Sequence, residues 1–172
     1  DPGPLGALPL RSPSEKFRIL FMSNISVAKG AVDLVRAVAA LREQYSGAVE
    51  LRLCGHYIHN EQNIKGVQSA DNAETQIRAL IEQHRLRDCV VFPGSVYGPQ
   101  KVEEFARADV FVLPSAQPEP FGGVVMEAMC MGLPVIATNI GGSIEQVADG
   151  ETGFLVPPSD PVTLADKLEV LL

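Results

Sequence analysis

The sequence predicts an α/β domain built on a doubly wound parallel sheet. Short apolar segments alternate with segments of helical periodicity about six times along the 172 residues. Most of the short segments are apolar throughout, which is typical of strands covered by helices on both faces of a sheet. Parallel strands need right-handed crossovers, and helices supply them. We therefore expect about six parallel strands with helices on both faces.

In the first half of the chain, strands are predicted at residues 17–22 (FRILFM), 49–55 (VELRLCG) and 89–94 (CVVFPG). The first helix is predicted from an apolar stripe at helical spacing. The stripe consists of Val32, Val35, Val38 or Ala39, Leu41 and Tyr45. Two more helices are predicted at residues 73–84 and 100–107.

Three further apolar segments have the length of strands. They are residues 110–114 (VFVLP), 134–138 (PVIAT) and 152–157 (TGFLVP). An apolar helix is predicted between the first two of them, and a short helix near residues 144–147 precedes the third. The final helix should begin at Pro161 with Ser159 or Asp160 as its cap, because proline suits the first helical position.

The first 16 residues, DPGPLGALPLRSPSEK, are rich in Pro, Gly and Ser. They predict a linker or a vector-derived remnant ahead of a domain at residues 17–172. The chain lacks an initial Met, and its last residues, LEVLL, lie within a predicted helix. We therefore expect the C-terminal domain of a longer protein, with its last helices truncated.

Composition excludes several classes of function. The net charge of −7 and the pI near 4.9 argue against a general nucleic-acid or anionic-membrane surface. No segment has the uninterrupted apolar length of a membrane span. Cys54, Cys89 and Cys130 are too few and too scattered for a disulfide framework or a zinc site. Their apolar neighbours predict three buried free thiols.

The loop after the first strand, SNISVAKGAVD, places Lys29 and Gly30 at the start of a helix. In a doubly wound sheet, ligands bind at the carboxyl ends of the strands, where the strand order switches. A lysine at a helix start opposes the helix dipole, unless it joins the free amides in holding an anion such as phosphate. The alternative is a solvated lysine beside a turn glycine, which is the commoner situation for a single lysine.

The same loop excludes two familiar nucleotide sites. It has one glycine, whereas a nicotinamide dinucleotide domain shows G-x-G-x-x-G there and an acid at the end of its second strand. The second strand here ends Leu53-Cys54-Gly55. A Walker-type phosphate loop is also absent from the sequence.

Two other strand ends offer weaker candidates. His56 and His59 have a spacing that a metal could use, but their irregular loop without a convincing third ligand favours no metal site. Gly94, Ser95 and Val96 follow the third strand, where backbone groups could meet the edge of a nucleotide base. The alternative is a simple turn.

The most informative stretch is QPEPFGGVVMEAMC, residues 117–130. Pro118 and Pro120 favour an extended approach to the helix that follows. Gly122 and Gly123 begin that helix, whose first amides have no helical partner. Glycine there also lets a ligand come close to the backbone.

Two carboxylates flank these amides. Glu119 precedes them, and Glu127 lies inside the helix among apolar residues that predict core on its other faces. The extended lead-in and the helical rise would separate the two acids by about 10 to 15 Å. That is too far for the acid–base pair of a glycoside hydrolase. It suits two acids that grip hydroxyl groups on separate parts of one long ligand, although Glu127 could instead be a buried acid paired with an internal Arg or Lys.

Together these residues resemble the C-terminal, donor-binding domain of retaining GT-B glycosyltransferases, specifically glycosyltransferase family four (glycosyl transferases group 1). The resemblance covers about residues 17–172 and rests on EPFGGVVME, on its continuation AMCMGLPVIATNIGGSIEQVADGETGFLVPPSD, and on KG after the first strand. It implies a Rossmann-like domain that forms one half of a GT-B fold and a hexosyl- or glycosyltransferase as the parent enzyme.

The resemblance implies a role for each candidate residue. Glu127 would hydrogen-bond the ribose hydroxyls of the donor nucleotide, while Ser95 and Val96 would face its base. Glu119 would meet hydroxyls of the transferred sugar and Lys29 would neutralise the diphosphate leaving group, which makes them the candidate catalytic residues. Backbone contacts with the sugar and diphosphate would come from Phe121, Gly122, Gly123, Val124 and Val125.

The implied reaction uses a nucleotide-diphosphate sugar as donor substrate, with retention and with no metal or other cofactor. Its other partner would be the N-terminal acceptor-binding domain of the same parent chain, without which this fragment should transfer little; no nucleic acid is expected. The implied role is polysaccharide or glycoconjugate biosynthesis in the cytoplasm. The full-length protein could lie peripherally at the inner face of the membrane.

One position departs from the family pattern. Many members have an arginine five residues before the lysine, where this chain has Asn24, itself a candidate donor contact. One partner for the phosphate charge is therefore missing. This departure keeps open the alternative that the protein is a non-catalytic nucleotide-sugar-binding module. A GT-B sugar-nucleotide epimerase is a further alternative, whereas Lys101 and Lys167 show no context for a pyridoxal-dependent phosphorylase.

Overall fold

The computed structural model describes residues 16–45, 47–58 and 72–172. His59 and all but the last residue of the predicted 1–16 linker lie outside these ranges. Within them, no helix combines the length and the apolar character that crossing a bilayer requires.

Six described strands form one parallel sheet in the order β3-β2-β1-β4-β5-β6. The strands are β1 Phe17–Met22, β2 Val49–Cys54, β3 Val90–Gly94, β4 Val110–Leu113, β5 Val135–Thr138 and β6 Gly153–Val156. The chain runs outward from β1 to β3, then returns to pair β4 with the other side of β1. This reversal between β1 and β4 confirms the predicted doubly wound parallel fold.

Helices connect the strands throughout. They are α1 Ala31–Gln44, α2 Ala73–Gln83, α3 Gly98–Arg107, α4 Gly123–Cys130, α5 Ser143–Gln146 and α6 Pro161–Leu171. The third begins two residues before the predicted 100–107, because Pro99 fits its first turn. Asp160 caps the last helix by accepting a hydrogen bond from the Thr163 amide at 3.0 Å.

The core lies on both faces of the central strands. Every residue of β4 and β5 is buried, as expected for strands with helices on both sides. The predicted apolar stripe of α1 packs onto the sheet, with Tyr45 half-buried at its end. Its helical spacing therefore identified the buried face correctly.

Two predictions of burial are wrong. Cys54 and Cys89 are buried, and burial raises the pKa of both thiols, that of Cys54 to about 12, but Cys130 is exposed. The helix that carries Cys130, α4, buries only Val125 and Ala128. It contacts β4 and β5 along one side, so Met126 and Glu127 are exposed rather than surrounded by core.

The loop after β1 is held tightly against the end of β4. Gly30 adopts φ +72°, and a Cβ at this position would lie 1.9 Å from the carbonyl oxygen of Pro114. The amide of Ala116 donates to the carbonyl of Ala28 at 2.9 Å. Because only glycine permits this approach, Gly30 positions the neighbouring Lys29 over the loop that follows β4.

Gly30→Ala should therefore destabilise the domain by more than the cost of placing alanine in a left-handed backbone conformation, because its Cβ would also collide with the Pro114 carbonyl. Gly150 is a matched control, because it has φ +79° but open space where a Cβ would stand. We expect Gly150→Ala to lower the free energy of unfolding by about 1 kcal/mol, and Gly30→Ala by about 3 kcal/mol or more. Urea denaturation followed by circular dichroism measures both. Equal losses would contradict the close approach.

Candidate functional site

Two predicted residues, Lys29 and Glu119, meet at the switch point of the sheet. The Nζ of Lys29 donates to Oε1 of Glu119 in a short ion pair. Lys29 lies in the loop after β1 and Glu119 in the loop after β4, the two strands between which the order reverses. The two side chains are 30% and 21% exposed, so the pair is accessible from the carboxyl edge of the sheet.

The loop around Glu119 is held in place by several contacts. The hydroxyl of the buried Ser115 donates to Oε1 of Glu119 at 2.9 Å, and the amide of Gly142 donates to its carbonyl oxygen at 2.7 Å. A Cβ on Gly141 would lie 2.4 Å from that carbonyl oxygen. The NIGG turn after β5 is thus a close-fitting support for Glu119. Both glycines are required, because a side chain at Gly141 would occupy the space of the Glu119 backbone and a Cβ on Gly142 would lie 2.4 Å from the carbonyl oxygen of Pro120.

The start of α4 leaves its first residue, Gly123, exposed. Gly122 caps the helix and accepts a hydrogen bond from Nε2 of Gln146 at 3.2 Å. Gly123 begins the helix, is exposed, and has nothing within 4 Å of where a Cβ would stand. Helix starts carry amides without a carbonyl one turn back, so this end can accept an anion.

A cavity of about 230 Å³ lies beside the carboxyl ends of β1, β2 and β3. It brings together four predicted donor contacts, Asn24, Ser95, Val96 and Val124. The other lining residues are Met22, Ser23, Cys54, Gly55, His56, Tyr97 and Lys101. The cavity therefore joins three separate strand-end loops to α4.

Glu127 points to α3 rather than into the core. Its Oε2 pairs with the Nζ of Lys101 at 2.5 Å, and the two side chains are 48% and 29% exposed. The alternative of a buried acid with an internal partner is therefore wrong. The two predicted acids have separate partners, since Glu119 pairs with Lys29 and Glu127 with Lys101.

Three residues with polar contacts at this edge were missed by sequence reasoning. Ser115 carries no motif of its own, and His56, for which the sequence raises only the question of a metal site, lies within hydrogen-bonding distance of the Ser95 hydroxyl at 3.2 Å. Lys101 did carry a signal, because it is the fourth residue of a helix that follows a strand end, much as Lys29 precedes α1. In the described part of the chain, no three His, Cys, Asp or Glu side chains cluster as a metal site would need.

A larger cavity of about 740 Å³ contains none of the predicted residues except Gly94. It lies between α2 and β3, where Tyr57, Arg78 and Phe92 line it. Burial raises the pKa of Tyr57 to about 12. The larger cavity contains none of the four predicted donor contacts that line the smaller one, so the smaller cavity is the stronger candidate for the site.

α3, which carries Lys101, is anchored to the sheet by a bidentate ion pair. Nε and Nη2 of Arg52 on β2 donate to the two carboxylate oxygens of Glu104 at 2.6 and 2.8 Å. Glu104 is 7% exposed. The hydrogen bonds to Glu104 raise the pKa of Arg52, which stays charged. The position of Lys101 is thus determined by a contact three residues away on the same helix.

Comparison with known proteins identifies the family. Residues 9–172 match the family described as glycosyl transferases group 1. The chain belongs to this family. The family predicted from EPFGGVVME and the flanking motifs is confirmed.

Among curated group 1 relatives, a D-inositol 3-phosphate glycosyltransferase of Paenarthrobacter aurescens (strain TC1) is 36% identical over 157 residues. The match covers 91% of this chain but 36% of that relative, so the chain spans about a third of its length.

Two solved structures illustrate the shared fold. Anabaena Alr3699/HepE in complex with UDP and glucose matches with a TM-score of 0.76 at 29% identity, over 91% of this chain and 38% of that one. A sucrose-phosphate synthase from Thermosynechococcus elongatus matches with a TM-score of 0.75 at 33% identity, over 93% and 37% of the two chains. The domain thus has the Rossmann-like architecture that these proteins contain.

The Lys29–Glu119 pair should contribute little to stability, because it lies at an accessible edge. We expect Lys29→Met to lower the free energy of unfolding by about 1 kcal/mol or less. Glu104→Gln is the contrasting variant, because it breaks a buried bidentate pair and should cost about 3 kcal/mol. Urea denaturation compares the two. A loss for Lys29→Met as large as that for Glu104→Gln would show that the pair is a structural element.

Proposed function

We propose that this domain binds the nucleotide-diphosphate sugar of a retaining glycosyltransferase and holds it for transfer to an acceptor. The observation that carries the proposal is the Lys29–Glu119 pair at the β1–β4 switch point, next to the open start of α4. It places a cation, free amides and a carboxylate together, which is what a diphosphate joined to a sugar requires.

Solved relatives support a nucleotide-sugar ligand. Alr3699/HepE was crystallised with UDP and with UDP-glucose, and it is 29% and 28% identical to this chain, respectively. Its TM-scores of 0.76 and 0.77 relate the present fold to a protein that holds such a ligand. UDP and UDP-glucose are therefore the first probes for this domain.

In the proposed reaction, the diphosphate lies between Lys29 and the start of α4. The bond between the sugar carbon C1 and the phosphate oxygen breaks, and its electron pair stays with the leaving diphosphate. Lys29 Nζ and the first amides of α4 stabilise that growing charge. Glu119 exchanges its contact with Lys29 for hydroxyl groups of the sugar. No metal is needed in this scheme, because Lys29 and the amides supply the positive charge.

The acceptor hydroxyl attacks C1 on the face that the diphosphate leaves, so the configuration is retained, and its proton passes to the leaving phosphate oxygen. The acceptor would be held by the N-terminal domain of the parent chain. The nucleotide base would occupy the 230 Å³ cavity beside Ser95 and Val96, with the ribose directed to Glu127. Asn24, which lines the same cavity, would replace an arginine as a neutral contact.

Calorimetric titration of the chain with UDP, GDP and ADP tests the proposal. We expect one of them to bind measurably below millimolar concentration. Failure of all three at millimolar concentration would remove the donor-domain assignment. Donor consumption by the intact parent then separates an enzyme from a binding module, since a module binds the donor without turnover.

The two acids should act on different parts of the donor. Glu127→Gln should weaken UDP binding about tenfold, because it replaces charge-assisted hydrogen bonds to the ribose with neutral ones. Glu119→Gln should leave UDP affinity within about twofold but reduce the additional affinity of UDP-glucose. Calorimetry with UDP and with UDP-glucose measures both affinities in each variant.

Glu103→Gln is the matched control, because Glu103 is an exposed acid of α3 that pairs only with Arg107 among the described cations. It should change neither affinity. Equal losses of UDP and UDP-glucose affinity in Glu119→Gln would contradict a role for Glu119 at the sugar.

A further inference from the structure

We infer that Lys101 is a positioning residue, which orients the Glu127 carboxylate toward the ribose of the donor and thereby sets the preference for ribonucleotides over 2′-deoxyribonucleotides. The inference rests on the proposed function, because it concerns the same nucleotide site. It starts from the 2.5 Å contact between Lys101 Nζ and Glu127 Oε2.

The location of Lys101 connects this contact to the nucleotide cavity. Lys101 lines the 230 Å³ cavity together with Ser95 and Val96, the residues proposed to face the base. A ribose attached to a base in that cavity lies next to Lys101 and its partner Glu127. The ion pair therefore borders the part of the ligand that carries the 2′- and 3′-hydroxyl groups.

Exposure indicates that this ion pair orients a side chain rather than stabilising the fold. Ion pairs between partly exposed side chains contribute little to stability, and Lys101 and Glu127 are 29% and 48% exposed. A glutamate on an open helix face otherwise samples several rotamers, and fixing one of them on binding costs entropy. A contact that fixes the rotamer beforehand removes that cost from the binding step.

The direction of control follows from the anchoring of α3. The buried pair of Arg52 with Glu104 holds this helix against the sheet, so the backbone at Lys101 is determined independently of Glu127. Glu127 lies on α4, a helix of eight residues that buries only Val125 and Ala128. Lys101 therefore restrains Glu127. One carboxylate oxygen, Oε2, is paired with Lys101 Nζ, which leaves Oε1 to accept from a ribose hydroxyl.

Calorimetry with UDP and 2′-deoxy-UDP tests this role on the chain itself, or with GDP or ADP and their 2′-deoxy forms if one of those binds instead. We expect the wild-type chain to bind UDP about tenfold more tightly than 2′-deoxy-UDP. In Lys101→Met that ratio should fall to about two, while the affinity for 2′-deoxy-UDP stays within about twofold. Lys101→Arg should retain most of the ratio, because arginine can still donate to Oε2.

Lys167→Met is the matched control. It removes the same charge from a lysine that lies 4.9 Å over the Phe154 ring, away from the cavity, and should leave both affinities unchanged. The pathway through Glu127 is tested by the double variant, because Lys101→Met should have no further effect on the ratio once Glu127→Gln is present.

Three outcomes would overturn the inference while the proposed function stands. Lys101→Met could weaken both nucleotides equally, which would indicate a contact with the phosphates or the base. It could leave the ratio unchanged, or it could strengthen UDP binding, which would show that Lys101 competes with the ribose. Failure of the wild-type chain to bind any of UDP, GDP and ADP would instead remove the proposed function itself.

Discussion

The close approach of the loop after β1 to the end of β4 determines the geometry of this site. Gly30 allows the approach, because any side chain there would collide with the Pro114 carbonyl. As a result, Lys29 lies over the loop that carries Glu119, and a cation and a carboxylate meet where the strand order reverses. The NIGG turn supports Glu119 at this point, and the cavity lies beside the end of β1. In a doubly wound sheet, the switch point is also where adjacent loops diverge and leave room for a ligand.

Much of this could be predicted from the sequence, because the relevant patterns are local. Burial is predicted directly by apolar strands such as residues 110–114 and by the apolar stripe of α1. An extended segment followed by a helix start is predicted by the prolines and glycines from Pro118 to Gly123. The doubly wound fold class follows from the alternation of strands and helices, whereas the switch point between β1 and β4 is known only from the structure. The structure brings Asn24, Ser95, Val96 and Val124 to one cavity, while their contacts with a donor stay a prediction.

Contacts between distant segments could not be predicted in the same way. The pairing of Lys29 with Glu119, 90 residues apart, depends on β1 lying beside β4 and on the rotamers of two long side chains. The Lys101–Glu127 pair depends on how α3 and α4 lie at the carboxyl edge. The exposure of Cys130 depends on which side of α4 meets the sheet, and a short helix that is apolar on nearly every side carries no periodic signal for this.

A crystal structure of this chain grown with UDP tests the central claim most directly. The account predicts that the diphosphate lies between Lys29 Nζ and the first amides of α4, with the base in the 230 Å³ cavity beside Ser95 and Val96 and the ribose at Glu127. Under this account, the Lys29–Glu119 contact is broken or shared with a phosphate oxygen. UDP bound in the larger cavity beside Tyr57 and Phe92, with the Lys29–Glu119 pair intact, would contradict it.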